Sequence, residues 1–388
     1  MWLDHNWPGP YNIPGIVQAH PDAIESEEKW MLAGGGGYGA FHHWSEPLFG
    51  YYESRDKWVL SRHCQMLTDA GVDFLVFDTT NGAAYLDTVR DLIDVWYGCY
   101  TQGKNVPQLA FYTNANSGNV INGIYDALYN NAELGAEYPD LDDLWFTMNG
   151  KPMVVGNADD EALRPEVKAY FRIKAVQWPT DRKHSDGFPW IEFGTTLHTL
   201  GGYYKNSLKD ESIMNVSVAQ HCDTCRFSAS AWYGGNDHGR SWHNGKKDTG
   251  EGAVLQGYNF AEQWEYAIKL DPDIVFVTGF NEWVAQRLQF VDDEAVGFCD
   301  TCNAEYSRDV EPAANELGDN YYMQMVNFIA KYKGVTAVLP QGKQTTIDFD
   351  GDIYSFYTRG ESAPYGRLNW VYTGIFAKDP TEKRFPGC

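Results

Sequence analysis

The chain has 388 residues, more than one average domain but within the size of a single (β/α)8 barrel that carries insertions. Apolar residues make up 43% and charged residues 21%, which is typical of a soluble chain with a large core. Thirty Lys and Arg against 53 Asp and Glu give a net charge of −23, which argues against nucleic acid or an anionic membrane as a partner. No apolar run reaches the roughly eighteen residues of a membrane span, and the opening MWLDHNWPGP shows no secretory signal.

Short apolar segments alternate with polar loops and amphipathic helices along most of the chain. The segment 56–70 places Leu60, Cys64 and Leu67 on one helical face, and Gly71 is expected to cap its carboxyl end. Cys64 is therefore interpreted as a core residue. The other elements that the pattern predicts are, in chain order, a strand at 72–78, a helix at 85–100, strands at 108–112, 151–156, 170–178, 214–221 and 273–279, and a helix at 320–333.

One further helix is predicted from a capping box. Asn259 would cap its first turn and Glu262 would reach back to the cap, and Asp271-Pro272 would end the helix. The side chains expected to face inward are Phe260, Trp264, Ala267 and Ile268.

The domain boundaries follow from a change of pattern after Gly334. Residues 345–357 alternate like a strand or hairpin, so we expect a barrel over residues 1–338 and a β-rich extension over 339–388. A first barrel strand is not evident. Either an unrecognised strand lies within 30–42, or the sequence starts late.

Strands that alternate with helices predict a parallel sheet buried on both faces. Polar residues follow several of these strands, and in a (β/α)8 barrel the carboxyl ends of the strands converge on one mouth where the chemistry takes place. The polar strand ends are Asp78, Asn114, Gln220-His221 and Asn281-Glu282. A doubly wound open sheet is the competing fold, but no G-x-G-x-x-G or G-x-x-x-x-G-K-[ST] loop follows any strand.

The tetrapeptide Cys-Asp-Thr-Cys occurs twice, at 222–225 and at 299–302. Each copy can present two thiolates to one tetrahedral ion, so the four cysteines form a candidate structural zinc site. In an oxidising compartment the same spacing suits disulfides between the two copies. The residues of this predicted cross-link are Cys222, Cys225, Cys299 and Cys302.

The segment Asn281-Glu282-Trp283 carries the sharpest chemical signal. A carboxylate at a strand end, between an amide and an indole, suits glycoside chemistry, because the acid can move a proton, the amide can hold a hydroxyl and the indole can stack on a sugar ring. The alternative interpretation is a surface glutamate beside a core tryptophan. The strand before it and the other polar strand ends favour function.

Residues 277–283 (VTGFNEW), followed by Val310-Glu311-Pro312-Ala313, resemble a late-strand signature of glycoside hydrolase family 99. The resemblance implies a (β/α)8 barrel, an endo-acting α-mannosidase-like activity and a catalytic Glu282. A second catalytic glutamate of that family falls here at Ala285, so the partner carboxylate must come from elsewhere. Length and layout also resemble family 168, the endo-α-1,3-fucanases.

Three acids compete for the role of second catalytic carboxylate. Asp223 follows the strand 214–221 and ranks first, although it lies inside a cysteine motif. Asp78 ends its own strand but is as easily a structural acceptor for loop amides, and Asp237 lies in a long loop. In a retaining enzyme the two carboxyl groups lie about 5–5.5 Å apart, against roughly 6.5–9.5 Å in an inverting one.

Several residues are predicted to bind substrate rather than to react. His221, Gln220 and Asn114 lie at strand ends, where a histidine either donates to a sugar hydroxyl or simply bonds the backbone. The loop 221–247 concentrates basic and aromatic residues in an acidic chain, which suits a sulfated or carboxylated sugar if it is more than a solvated loop. Within it, Arg240 is the expected bidentate donor and Trp242 a stacking residue.

The sequence therefore predicts a glycoside hydrolase of the (β/α)8 class that cuts within an α-linked polysaccharide, with a sulfated fucan as the favoured substrate and a retaining mechanism. An enzyme acting on neutral α-mannan, a carbohydrate-binding barrel without turnover, and a glycosyltransferase are the alternatives. The expected partner is a polysaccharide or oligosaccharide, and no cofactor is expected beyond the possible structural zinc. Such a substrate implies an extracellular or periplasmic location.

Overall fold

The computed structural model describes residues 11–178, 181, 184–190, 203–204, 211–221, 230–231, 237–288, 296–299 and 301–334. Its strands are, in chain order, β1 Tyr11–Asn12, β2 Phe41–His43, β3 Phe74–Thr79, β4 Gln108–Thr113, β5 Thr147–Met148, β6 Lys151–Gly156, β7 Arg172–Gln177, β8 Gly187–Pro189, β9 Tyr203–Tyr204, β10 Ile213–Ser217, β11 Gln220–His221, β12 Ser230–Ala231, β13 Asp237–His238, β14 Trp242–His243, β15 Lys246–Lys247, β16 Ile274–Thr278, β17 Val284–Leu288 and β18 Gly297–Phe298.

The α-helices described by the structure are α1 Ile13–Ala19, α2 Glu27–Leu32, α3 Lys57–Asp69, α4 Leu86–Tyr100, α5 Ser117–Ile124, α6 Ala132–Glu137, α7 Pro165–Tyr170, α8 Tyr258–Leu270 and α9 Asn320–Tyr332. Short helical turns of other types occur at Pro21–Glu25, Tyr125–Tyr129, Leu141–Leu144 and Ala253–Leu255. The predicted helices at 56–70, 85–100 and 320–333 are confirmed to within a residue or so at each end.

The central sheet is parallel, as predicted. Strands β3, β4, β6, β7 and β8 pair side by side in that order, and β10 pairs with β16 in the same sense. The two segments meet where the Asn215 side chain on β10 donates to the carbonyl of Trp190, which follows β8. The parallel α/β architecture is therefore confirmed.

Alternating residues of these strands face two different apolar clusters. On β3, Leu75 and Phe77 pack in the larger cluster, which includes the buried faces of the helices, whereas Val76 belongs to a smaller cluster. We call this smaller cluster the barrel interior. Its buried members are Val76, Ala110, Tyr112, Met148, Met153, Val155, Phe188 and Ile213. A sheet with one apolar face toward helices and one toward a shared interior has the two-layer arrangement of a (β/α)8 barrel.

A seam remains between the first and last strands of this sheet. In the described part of the chain β3 and β16 do not pair, and a cavity of about 660 Å³ lies between them. Its lining includes Leu75, Phe276 and Tyr332, the last residue of α9. The parallel sheet curls around one interior, but the described strands do not form a closed barrel.

Two local predictions need correction. Helix α8 is capped by Gly257, which has a φ of 67°, and Asn259 is buried inside the helix and donates to the carbonyls of Val218 and His238. The Asn259–Glu262 capping box is therefore wrong, because the Asn259 side chain connects the helix to the end of β10 and to β13. Residues 30–42 overlap only the start of β2, which pairs antiparallel with β17 and parallel with β1, and does not join the central parallel sheet.

Residues 335–388, and with them the predicted β-rich extension, lie outside the described part. In the part that is described, no helix is long and apolar enough to span a membrane.

Candidate active site

Strand β16 ends at Thr278, and the loop that follows carries Glu282 to the start of β17. This loop requires a glycine at its first position. Gly279 has a φ of 91°, and a Cβ there would overlap the backbone carbonyl of Arg308. The close approach places residues 308–311 directly against the loop, where the amide of Glu311 donates to the carbonyl of Phe280 (2.8 Å).

Both backbone groups of Glu282 are held by side chains from distant parts of the chain. Its amide donates to a carboxylate oxygen of Asp309, and its carbonyl accepts from the indole nitrogen of Trp44 at 3.0 Å. The Glu282 side chain is half-buried, whereas both of its neighbours, Asn281 and Trp283, are 1% exposed. The loop therefore holds one half-buried glutamate on a fixed backbone between two buried neighbours.

The two neighbours of Glu282 belong to the wall behind it. The Trp283 indole stacks on Trp44 with a centroid distance of 4.7 Å and an interplanar angle of 11°. The Asn281 amide donates to the Tyr52 hydroxyl at 3.2 Å. The structure thus gives Asn281 and Trp283 internal partners instead of the sugar contacts that the sequence suggests, and their role is to fix the loop.

A buried carboxylate, Glu311, lies at the centre of this wall. One oxygen contacts Nε2 of His63 at 2.7 Å, and the other accepts from the Tyr52 hydroxyl (2.7 Å) and the Trp283 indole (2.5 Å). The His63 and Glu311 side chains are fully buried. Burial raises the pKa of Tyr52 well above its ordinary value, and the charge of Glu311 raises it further.

Asp309 is the second buried acid behind the loop. Burial raises its pKa to about 7, although the bond from the Glu282 amide and the charge of Arg240 act in the opposite direction. Only 3% of Asp309 is exposed, so it supports the backbone of Glu282 and is not itself presented to a ligand.

Of the predicted catalytic acids, Glu282 and Asp78 are described with their side chains. Asp78 shares its strand face with Val76 of the barrel interior, and one of its oxygens accepts from the amide (3.0 Å) and hydroxyl (2.7 Å) of Thr80. That is the structural-acceptor arrangement named above as the alternative. Asp223 lies outside the described residues, and Asp237 contributes its backbone to β13 opposite His221.

The predicted binding residues divide between surface and interior. Asn114 is exposed at the end of β4, and its side-chain oxygen accepts from the Trp178 indole at 3.4 Å. Gln220 is 1% exposed on β11, and in the described part of the chain its amide atoms have no hydrogen-bond partner. His221 pairs through its backbone with β13.

Arg240 is buried, although the composition of its loop suggests a surface position. Its guanidinium lies over the Tyr321 ring at 4.1 Å and donates to the Ser307 hydroxyl (2.8 Å) and the Asp309 carbonyl (2.7 Å). Trp242 is half-buried and stacks on His238 at 3.7 Å. Arg240 therefore supports the segment 307–309 that holds Glu282.

Only two of the four cysteines of the predicted cross-link lie in the described part of the chain. Cys299 is half-buried and Cys302 is buried, whereas Cys222 and Cys225 lie outside the described residues. Cys64 is buried in the core, as predicted. Among the side chains that are described, no group of three or more His, Cys, Asp or Glu is arranged to hold a metal ion. The zinc or disulfide at the paired motifs stays a prediction.

Sequence reasoning missed most of the support for Glu282. Nothing local to Trp44 or His63 connects either residue with position 282. Glu311 falls within the motif 310–313, but nothing in that motif connects it or the neighbouring Asp309 with position 282. The structure places 307–311 inside, against the loop.

Comparison with known proteins gives structural matches only. No family model and no curated protein matches the chain. The structure of the GH99 endo-alpha-mannosidase from Bacteroides thetaiotaomicron matches 75% of this chain and 84% of its own, at 13% identity and a TM-score of 0.47. The structure of the same enzyme in complex with bis-Tris propane matches 75% of this chain and 88% of its own, at 12% identity and a TM-score of 0.45. A glycoside hydrolase-like protein matches 74% of this chain and 90% of its own, at 12% identity and a TM-score of 0.38. At these values the likeness is one of chain trace and identifies no activity.

Proposed function

We propose that this protein is a glycoside hydrolase that cuts within an α-linked polysaccharide, with Glu282 as its acid/base. One observation carries the proposal. Glu282 is a half-exposed carboxylate at the carboxyl end of a parallel strand, and its backbone is fixed on both sides by Asp309 and Trp44. Catalytic groups of this architecture lie at that end of the sheet, and preorganisation of a single side chain is what acid/base catalysis requires.

In the proposed reaction the protonated Glu282 carboxyl donates its proton to the glycosidic oxygen as the bond to the anomeric carbon breaks. A second carboxylate attacks the anomeric carbon and forms a covalent glycosyl ester with it. Glu282 then removes a proton from water, whose oxygen displaces the ester and gives net retention. Hydrolysis thus consumes one water, and both carboxyl groups return to their starting states.

The second carboxylate remains open between Asp223 and Asp78. Asp78 shares a strand face with the barrel interior, but its bonds to Thr80 are those of a structural acceptor. The variants Asp223→Asn and Asp78→Asn distinguish the two candidates, because replacement of the true nucleophile should abolish hydrolysis of the polysaccharide.

For the substrate we propose a sulfated fucan, with a neutral α-mannan as the enzymatic alternative. The positive loop 221–247 is the support for sulfate, and its hairpin exposes Lys246 and Lys247. Arg240 belongs to the same loop, but its side chain is buried and supports the loop from inside the protein. A polysaccharide substrate of this kind also leads us to propose an extracellular or periplasmic site of action.

The test is product analysis with fucoidan and yeast mannan in parallel. The proposal expects new reducing ends and short oligosaccharides from one of them, and the Glu282→Gln variant should release them at least about a hundredfold more slowly. The Glu265→Gln variant is the matched control, since Glu265 is exposed on α8. If wild type and Glu282→Gln release reducing ends at equal rates, the assignment of Glu282 is refuted.

A carbohydrate-binding barrel without turnover is the second candidate. The observation that favours it is Ala285, which is 1% exposed on β17 and leaves no carboxylate where family 99 has its second glutamate. Calorimetric binding of oligosaccharides with no product after long incubation would establish this candidate in place of the enzyme.

A further inference from the structure

Two tryptophans follow neighbouring strands on the rim of the parallel sheet. Trp178 comes directly after β7 and Trp190 directly after β8, and the two strands pair Gln177 with Pro189. The register makes the two indoles neighbours, with centroids 5.8 Å apart and planes at 71°. Both side chains are half-buried.

The two indoles rest on Tyr112 of the barrel interior. The Tyr112 ring lies 5.0 Å from Trp190 and 6.0 Å from Trp178, and its hydroxyl donates to the Phe188 carbonyl at 2.8 Å. Tyr112 is fully buried, so it forms a floor whose hydrogen bond is already satisfied. The half-exposed surface above it belongs to the two indoles.

This aromatic pair is fixed to the strand that leads to Glu282. The Trp190 carbonyl accepts from the hydroxyl of Thr278 and from the amide of Asn215 (3.2 Å). Thr278 is the last residue of β16, and the loop with Glu282 begins at the next position. The indoles and Glu282 therefore stand on the same rim, joined through hydrogen bonds of β10 and β16.

A polar group completes the surface. The exposed Asn114 amide lies at the end of β4, and its oxygen accepts from the Trp178 indole nitrogen at 3.4 Å. An indole face with an amide at its edge matches a pyranose ring, which has an apolar C–H face and hydroxyl groups around its edge.

We propose that Trp178, with Trp190 and Asn114, forms a subsite that stacks on one sugar ring of the glycan and determines how tightly it is held. This inference rests on the proposed function and adds substrate-binding residues to the same mouth. Trp178 acts by binding and not by chemistry, so its loss should raise KM and leave kcat nearly unchanged.

The experiment compares Trp178→Ala, Trp178→Phe and a control, Trp58→Ala, on whichever of fucoidan and yeast mannan the wild type cleaves. Trp58 is 55% exposed on helix α3, so its loss removes an indole from another part of the surface. Trp178→Ala should raise KM roughly tenfold with kcat within about twofold, Trp178→Phe should recover most of the loss, and Trp58→Ala should match wild type. An unchanged KM in Trp178→Ala overturns the subsite.

A second measurement keeps the proposal testable if Trp178→Ala does not fold. In the Glu282→Gln protein, fragments of the cleaved polysaccharide should protect Trp178, and not Trp58, from oxidation by N-bromosuccinimide, as read by peptide mapping. Equal oxidation with and without bound fragments refutes the subsite while leaving the role of Glu282 intact. Absence of cleavage and binding with both polysaccharides refutes the proposed function instead.

Discussion

Replacement of Asp309 by asparagine tests whether a buried, protonated carboxyl supports Glu282. Burial raises the pKa of Asp309 from 3.8 to about 7. Between these values the unfolded chain has ionised this group while the folded chain still holds the proton, so folding stability falls as the pH rises. One pKa unit corresponds to about 1.4 kcal/mol, and the full shift therefore corresponds to roughly 4 kcal/mol.

The measurable part of this effect lies between about pH 5 and about pH 8. Over this range Asp309 should lower the free energy of unfolding by roughly 2–3 kcal/mol. Asparagine retains an acceptor oxygen for the Glu282 amide but has no titrating proton, so the variant should lack this loss. The assay is urea unfolding of both proteins at several pH values, compared as the difference between their free energies of unfolding. If the two pH curves run parallel, Asp309 is ionised in the folded protein and the reasoning is refuted.

Two other predictions concern the wall behind Glu282. Gly279→Ala should destabilise the protein by at least about 2 kcal/mol in thermal unfolding, because it combines an unfavourable φ with a backbone overlap. Gly37→Ala is the control, since the added methyl group has open space around it and should leave the stability nearly unchanged. His63→Ala removes the imidazole that contacts one oxygen of the buried Glu311 and leaves a cavity beside it, so it should cost roughly 3–5 kcal/mol. Tyr52→Phe removes only one hydrogen bond to the same carboxylate, so it should destabilise the protein less than His63→Ala does. An equal loss of unfolding free energy in the two variants would contradict this expectation.

The alternation of strands and helices was predictable because each element satisfies its own periodicity. Helix α3 shows its buried stripe within thirteen residues, and β3 and β4 are short apolar runs. The predicted capping box failed for a non-local reason. Asn259 has the residue type of a cap, but the carbonyls of Val218 and His238 bind its amide and draw it into the core.

The candidate site was predictable at Glu282 and not around it. A motif of three residues indicates a carboxylate between an amide and an indole, but it does not say what the indole packs against. Trp283 stacks on Trp44, which lies far away in sequence, and that contact depends on the pairing of β2 with β17. Likewise, Arg240 looks like a surface donor in a basic loop until Tyr321 of α9 covers its guanidinium.

The most direct test of the account is the turnover number of the Glu282→Gln protein on the polysaccharide that the wild type cleaves. The amide keeps the size of the side chain and the backbone bonds to Asp309 and Trp44, but it cannot transfer a proton. We expect kcat to fall by roughly 10²–10⁴-fold with the fold and glycan binding intact. A kcat within about twofold of wild type would show that the proton comes from another group, and the proposed role of Glu282 would have to be abandoned.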